Sequence, residues 1–169
     1  MVNEMNRRNI VQTDISYTYE ILMRDIYELK QRYNFLEIGN IGYTVLGKPI
    51  PYIRLGNGEK EVLYSASFHA NEWITTVLLM KFVEDFSKSY ELNEEIYGYN
   101  SRQIFNQTSI YLVPMINPDG VDLVTGAIPK NTEIYNNFKF LAGNFPQIPF
   151  PDGWKANFNG VDFKKFHAY

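Results

Sequence analysis

Two residues in the 169-residue chain have the types and spacing for metal chemistry. They are His69 and Glu72, inside the run Ser65-Ala66-Ser67-Phe68-His69-Ala70-Asn71-Glu72-Trp73. An imidazole nitrogen and a carboxylate oxygen are both ordinary zinc donors, and a catalytic zinc commonly takes three protein ligands and keeps a fourth position for water. The pair supplies two of the three. The chain has only two histidines, His69 and His167, and no cysteine, so disulfides and thiolate metal sites are excluded. His167 is a poor third ligand, because a terminal tail offers little preorganisation, and solvent exposure is its expected fate. With 19 acidic residues in the chain, a glutamate three places after either histidine arises by chance about one time in ten. Position must therefore carry the inference.

The elements around the pair give it that position. Residues 61–68 (EVLYSASF) form a short apolar run that reads as a strand buried on both faces, in the interior of a mixed or parallel sheet. His69 falls where that strand ends. Residues 73–86 follow with Ile74, Val77, Leu78, Phe82 and Phe86 at helical spacing, with Asn71 as the expected cap and Glu72 in the favourable first turn. Residues 109–115 (SIYLVPM) read as a second buried strand, ending at the turn signal Asn117-Pro118-Asp119-Gly120. Strand, helix and strand in alternation predict an α/β fold, and such folds place ligands at the carboxyl ends of their strands.

Upstream, Leu22, Ile26, Leu29 and Tyr33 define an amphipathic helix capped by Ser16 or Thr18. Residues 36–46 and 50–55, split by Gly47-Lys48-Pro49, read as a hairpin. Residues 90–107 are polar and turn-rich. Beyond Thr125, prolines and glycines punctuate a long irregular segment, which inside a compact domain is expected to line a site.

Composition narrows the function classes. Hydrophobic residues at 45% and charged residues at 21% are the balance of a folded globular protein. A net charge of -3 leaves no basic footprint for nucleic acid. No apolar stretch reaches the length of a membrane span, and the polar start of the chain holds no recognisable signal peptide. Cytoplasm is the default expectation, with secretion left open. Thirteen tyrosines and twelve phenylalanines raise the idea of a glycan-stacking surface. The group Phe138, Phe140, Phe145, Phe150, Trp154 and Phe158 is instead expected to form core or to cover a half-sheet.

Taken in order, Phe68-His69-Ala70-Asn71-Glu72-Trp73, then Asn117-Pro118-Asp119-Gly120-Val121, then Trp154-Lys155 and Gly160-Val161-Asp162 resemble the zinc carboxypeptidase family, peptidase family M14. Gly47-Lys48-Pro49-Ile50 is similar to the family's hairpin, so the resemblance runs from about residue 38 onward. Among its branches, Asp152-Gly153-Trp154-Lys155-Ala156-Asn157 and the spacing to Asp162 look most like bacterial γ-D-glutamyl-diaminopimelate peptidases. The resemblance implies a single partial catalytic domain over residues 1–169, with 1–35 as an N-terminal helix and arm. It implies a mixed sheet flanked by helices, C-terminally incomplete, and a zinc metallopeptidase acting on a peptide, with a cell-wall stem peptide as the expected substrate.

Residue by residue, the resemblance implies that His69 and Glu72 bind Zn2+ and that Asp162 orients His69, fixing its tautomer. Lys155 stands near a family arginine that stabilises the oxyanion; a solvated surface lysine is an equal alternative, since a lysine lacks the guanidinium fork. Where the family has an Asn-Arg pair to clamp a terminal carboxylate, this chain has Phe163-Lys164-Lys165, so Lys164 and Lys165 are the candidates for substrate binding. The family's third ligand, pocket tyrosine and general-base glutamate match positions beyond Tyr169. The isolated chain is accordingly expected to be inactive, with an unpaired sheet edge open to dimerisation or aggregation. A non-catalytic peptide-binding protein and the product of a disrupted gene are the alternatives.

Overall fold

The computed structural model describes residues 8–163. The chain runs through α1 (Tyr19–Arg32), β1 (Glu37–Tyr43), β2 (Pro49–Leu55), β3 (Lys60–Ser65), a 3-10 turn (Ala70–Glu72) and α2 (Ile74–Leu92). It continues through β4 (Glu95–Ile96), β5 (Tyr99–Asn100), α3 (Ser101–Gln107), β6 (Thr108–Val113), α4 (Pro118–Val124) and α5 (Glu133–Ala142). Four strands form one mixed sheet in the order β1-β2-β6-β3. β1 with β2 and β2 with β6 are antiparallel, whereas β3 with β6 is parallel, Leu63 opposite Tyr111 and Ser65 opposite Val113. A parallel pair needs a long crossover, and α2 lies within it.

One hydrophobic cluster joins Leu22, Ile26 and Leu29 of α1 and Val77, Met80, Val83 and Phe86 of α2 to Ile53, Leu55, Ile110 and Leu112. Alternate residues of a strand share a face, so the two helices lie against the sheet face that carries these four side chains. Truncating Leu22, Leu29, Ile53, Leu55, Met80 or Leu112, each fully buried, to alanine is expected to cost about 2–5 kcal/mol. On the other face, Tyr52 and Tyr111 stand 6.1 Å apart with the Arg54 guanidinium 5.6 Å from the Tyr111 ring centre. The hairpin is pinned to α4 by Lys48, whose Nζ lies 2.6 Å from Asp122 Oδ2 and 3.5 Å from Asp119 Oδ1. A second cluster packs Phe138 and Ala142 of α5 against Trp154 and Ala156.

Several sequence expectations change. Among the described residues β3 pairs with β6 alone, the expected unpaired edge, and where the apolar run predicts burial on both faces all six of its positions are exposed, Leu63 by 68%. The apolar run that suggested burial reports only that the strand has two apolar faces, not what covers them. Asn71 does not cap α2, because the 3-10 turn intervenes and Trp73 precedes the helix without a side-chain cap. Nor do Ile74 and Leu78 face the core; Met80 and Val83 do. The polar stretch at 90–107 holds the β4–β5 hairpin and α3, with Ile96 and Phe105 buried.

The segment Asn117-Pro118-Asp119-Gly120 opens α4 rather than making a free turn: Asn117 Oδ1 accepts from the Gly120 N–H and Pro118 sits at the first helical position. That is a favoured start, since proline lacks the N–H that a first turn leaves unpaired. Beyond Thr125, α5 was not expected. Thr132 caps it, accepting from the Tyr135 N–H, and the helix buries Phe138 and Ala142. The aromatic group largely forms core as expected, with Phe138 edge-on to Trp154 and Phe158, but Phe140 and Phe145 are exposed. Among the described residues no helix is long and apolar enough to cross a membrane.

Candidate metal centre

The loop after β3 delivers His69. Ala66 continues the parallel pairing by donating to the Val113 carbonyl. Ser67 then turns the chain in the left-handed region at φ 50°, a conformation that costs a residue with a side chain about 1–3 kcal/mol and so needs support from its surroundings. The support is visible. The buried Ser67 hydroxyl lies 2.6 Å from Thr76 Oγ1, its N–H donates to Thr75 Oγ1 at 3.0 Å, and Thr76 in turn donates to the Pro114 carbonyl at 2.6 Å. The first turn of α2 thereby holds the strand end in place, and His69 emerges beside the 3-10 turn that carries Glu72.

His69 is 7% exposed and sits between two carboxylates. Its Nδ1 lies 2.9 Å from Glu72 Oε1 and its Nε2 lies 3.2 Å from Asp162 Oδ1. The third member arrives from far along the chain. Asn157 builds the turn that presents it: the Asn157 N–H donates to the Val161 carbonyl and the Val161 N–H returns to Asn157 Oδ1, both at 3.0 Å. Gly160 occupies φ 76° within that turn, a conformation that suits a residue without Cβ.

The donor set fits a divalent cation. A neutral imidazole has one N–H and one lone pair. When the N–H is given to Asp162, the Nδ1 lone pair and the Glu72 carboxylate become two acceptors facing each other at 2.9 Å, and a cation between them resolves the conflict. An imidazole that donates to a carboxylate through the nitrogen opposite the metal is also better oriented and more basic as a ligand. Among the described residues no cluster of three or more histidine, cysteine or acidic side chains is arranged to hold a metal by itself.

Lys155 is exposed and lines, together with Asp162, Trp154, Ile148, Phe145 and Gln147, an open cavity of about 670 Å³. The structure thus brings His69, Glu72 and Asp162 together and leaves Lys155 at the rim of the adjoining hollow. Lys164, Lys165 and His167 lie outside the described residues. Sequence reasoning did not single out Ser67, Asn117 or Asn157 as supports of the site. Ser67 falls inside the run read as a strand, and Asn117 and Asn157 each stand three residues before a glycine, a pattern that also marks ordinary turns.

Fold and residue pair define a class first: an α/β protein that gathers an imidazole and a carboxylate at the carboxyl end of a sheet strand. A model of the zinc carboxypeptidase family, Peptidase M14, matches residues 22–165. The chain belongs to the zinc carboxypeptidase family. It is 45% identical over 153 residues to γ-D-glutamyl-L-diamino acid endopeptidase 1 of Lysinibacillus sphaericus, a match covering 90% of this chain and 38% of that protein. It is 35% identical over 157 residues to the uncharacterized protein YqgT of Bacillus subtilis (strain 168), covering 92% of this chain and 41% of the other. Bovine thrombin-activatable fibrinolysis inhibitor, solved with tick carboxypeptidase inhibitor, shares the fold with a TM-score of 0.59 at 16% identity, over 86% of this chain and 38% of that one. The chain spans about two fifths of the length of the curated relatives it matches.

Proposed function

We propose that this chain carries the first two protein ligands of a zinc metallopeptidase that hydrolyses an amide bond in peptidoglycan stem peptides. The observation that carries the reading is the placement of His69 between Glu72 and Asp162 at the carboxyl end of β3. The peptide class is supported by the name of the Lysinibacillus relative, an endopeptidase for γ-D-glutamyl-L-diamino acid bonds at 45% identity.

In this reading His69 Nδ1 and Glu72 hold the metal, and Asp162 keeps the imidazole in the tautomer that leaves Nδ1 free to coordinate. Zinc, when bound, supplies a Lewis acid and lowers the pKa of its water. Lys155 offers a positive charge at the rim of the cavity, suited to a carbonyl oxygen that gains negative charge, though as a point charge without the two-pronged geometry of arginine. Lys164 and Lys165 are proposed to meet the acidic groups of the substrate. Because His69 and His167 are the only histidines of the 169-residue chain, the expectation for this chain by itself is zinc binding with little or no turnover.

A competition titration of the purified chain against a zinc-sensitive chelating dye tests the reading. One equivalent of zinc should bind, and His69→Ala and Glu72→Ala should each abolish competition. Zinc binding unaffected by either substitution sinks the assignment. A second reading, a non-catalytic peptide binder, draws on the cavity beside Asp162. It predicts that a stem peptide binds with equal affinity in the presence and absence of a chelator.

A further inference from the structure

Asn117 is 2% exposed and lies where three separate segments meet. We infer that Asn117 is a positioning residue for the His69–Glu72 pair, clamping the loop that carries them to the segment that leads to Asp162. The inference rests on the reading that His69 and Glu72 hold zinc. The Asn117 Nδ2 group faces three backbone carbonyls, those of Phe68 at 3.4 Å, Lys155 at 3.2 Å and Ala156 at 3.1 Å. Its two hydrogens must be shared among the three. Phe68 immediately precedes His69, and Lys155 and Ala156 begin the stretch that turns through Asn157 to Asp162, so one carboxamide spans both sides of the site.

Neighbouring backbone bonds run in the same direction. The Ala70 N–H donates to the Lys155 carbonyl and the Asn71 N–H to the Trp154 carbonyl, each at 3.1 Å, while the Asn117 N–H donates to the Ser67 carbonyl at 3.1 Å. The Ala70 and Asn71 N–H groups, which the start of a helical segment leaves without a partner of its own, are thus satisfied by carbonyls more than about 80 residues downstream, while the Glu72 N–H closes the 3-10 turn on the His69 carbonyl at 3.1 Å.

Packing at Gly120 is an independent sign that the three segments are held at their closest approach. A Cβ placed there would stand 2.7 Å from Asn117 Nδ2, 2.8 Å from the Ala70 Cβ and 2.9 Å from the Ala156 carbonyl oxygen. A methyl group at position 120 has to push apart the same loop and segment that Asn117 draws together.

The competing role for Asn117 is purely structural: its Oδ1 accepts from the Gly120 N–H at 3.1 Å and closes the first turn of α4. Asn117→Ser separates the two, because serine still caps a helix but is too short to reach the carbonyls of Phe68, Lys155 and Ala156. Gly120→Ala leaves the Asn117 side chain in place but crowds its Nδ2 together with the Ala70 and Ala156 contacts. Two measurements on the full chain decide. In the metal-free protein, amide exchange at Ala70 and Asn71 should accelerate about tenfold or more in either variant, while amides of β6 and of the middle of α2 keep wild-type protection. In the zinc competition titration, both variants should bind about 10–100-fold more weakly, the range seen when supports behind metal ligands are lost.

A folded Asn117→Ser variant with wild-type exchange at Ala70 and Asn71, or with faster exchange but wild-type zinc affinity, overturns the inference and leaves Asn117 as a helix cap. If Asn117→Ser does not fold, the same two readouts on Gly120→Ala decide in its place. Should wild-type protein bind no zinc, the metal reading itself fails, and the clamp then stands or falls on the exchange data alone.

Discussion

His69 Nε2 lies 3.2 Å from Asp162 Oδ1 across 93 residues of sequence. The contact joins the end of β3 to a turn far downstream, and it fixes which imidazole nitrogen is left facing Glu72. Asp162→Ala should therefore weaken zinc binding about 10–100-fold without removing a ligand. Asp162→Asn keeps an acceptor oxygen and should lose less. Titration of the three proteins against a competing chelator gives the order wild type, Asn, Ala; equal affinities would show that Asp162 does not act through His69.

How much of this could be read from the sequence depends on how local each cause is. His69 and Glu72 were legible because their donor types and their position after a strand are properties of one short stretch. The hairpin turn at Gly47 was legible for the same reason, and the cap of α1 was legible as Ser16 or Thr18, of which Thr18 accepts from the Ile21 N–H. The exposure of β3 was not, because the alternation of Val62, Leu63 and Tyr64 records two apolar faces and says nothing about which neighbours arrive to cover them. The 3-10 turn was hidden because the partners of Ala70 and Asn71 are the carbonyls of Lys155 and Trp154. Helix α5 was masked by the prolines around it, although Thr132 with Phe138 and Ala142 supplies a cap and a buried face. Asn117-Pro118 was ambiguous in itself: asparagine followed by proline opens a turn and opens a helix with the same chemistry.

Asp25 gives the stability of the fold a pH dependence with a definite sign. The carboxylate is wholly buried, accepting from Tyr17 Oη at 2.6 Å and from the Arg24 guanidinium at 2.8 and 3.0 Å. Burial pushes its pKa above the usual carboxylate range, against the pull of the Tyr17 hydrogen bond and the Arg24 charge. In the unfolded chain the Asp25 carboxyl ionises at about 3.9, so just above that pH the folded state holds a proton that the unfolded state has released. Asp25 therefore stabilises the fold most fully below its unfolded pKa, and that contribution is lost as pH rises through the folded pKa. Urea unfolding of wild type and Asp25→Asn across the acid range should show the stability difference shifting in favour of the variant as pH rises, then levelling. A difference independent of pH would mean that Asp25 titrates alike in both states.

Glu84 ties the start of the described chain to α2. It is 3% exposed, and its carboxylate accepts from the Ile10 N–H at 2.5 Å and the Val11 N–H at 3.4 Å, with Lys81 Nζ 3.3 Å away. Ile10 and Val11 are themselves buried, so removing the carboxylate strands two N–H donors away from water. Glu84→Ala should cost about 2–4 kcal/mol of unfolding free energy, and Glu84→Gln, which retains one acceptor oxygen, should cost less. Denaturant midpoints at constant slope measure both; a loss under about 0.5 kcal/mol for the alanine variant would place the arm outside the cooperative fold.

The outer edge of β3 is the remaining feature with a measurable consequence. Among the described residues this strand pairs only with β6, and Val62, Leu63 and Tyr64 are exposed at 38%, 68% and 53%. An edge that offers free backbone donors and acceptors together with apolar side chains on both faces is a template for pairing with another copy. Antiparallel contact between two β3 edges satisfies the backbone groups of both and buries the apolar residues of both. Sedimentation equilibrium of the 169-residue chain should accordingly show concentration-dependent self-association. Leu63→Lys should shift the equilibrium toward monomer, because a charge on a sheet edge must be desolvated when a second strand docks against it. A chain that stays monomeric at every concentration, or an association that Leu63→Lys leaves unchanged, would show that β3 is not the contact.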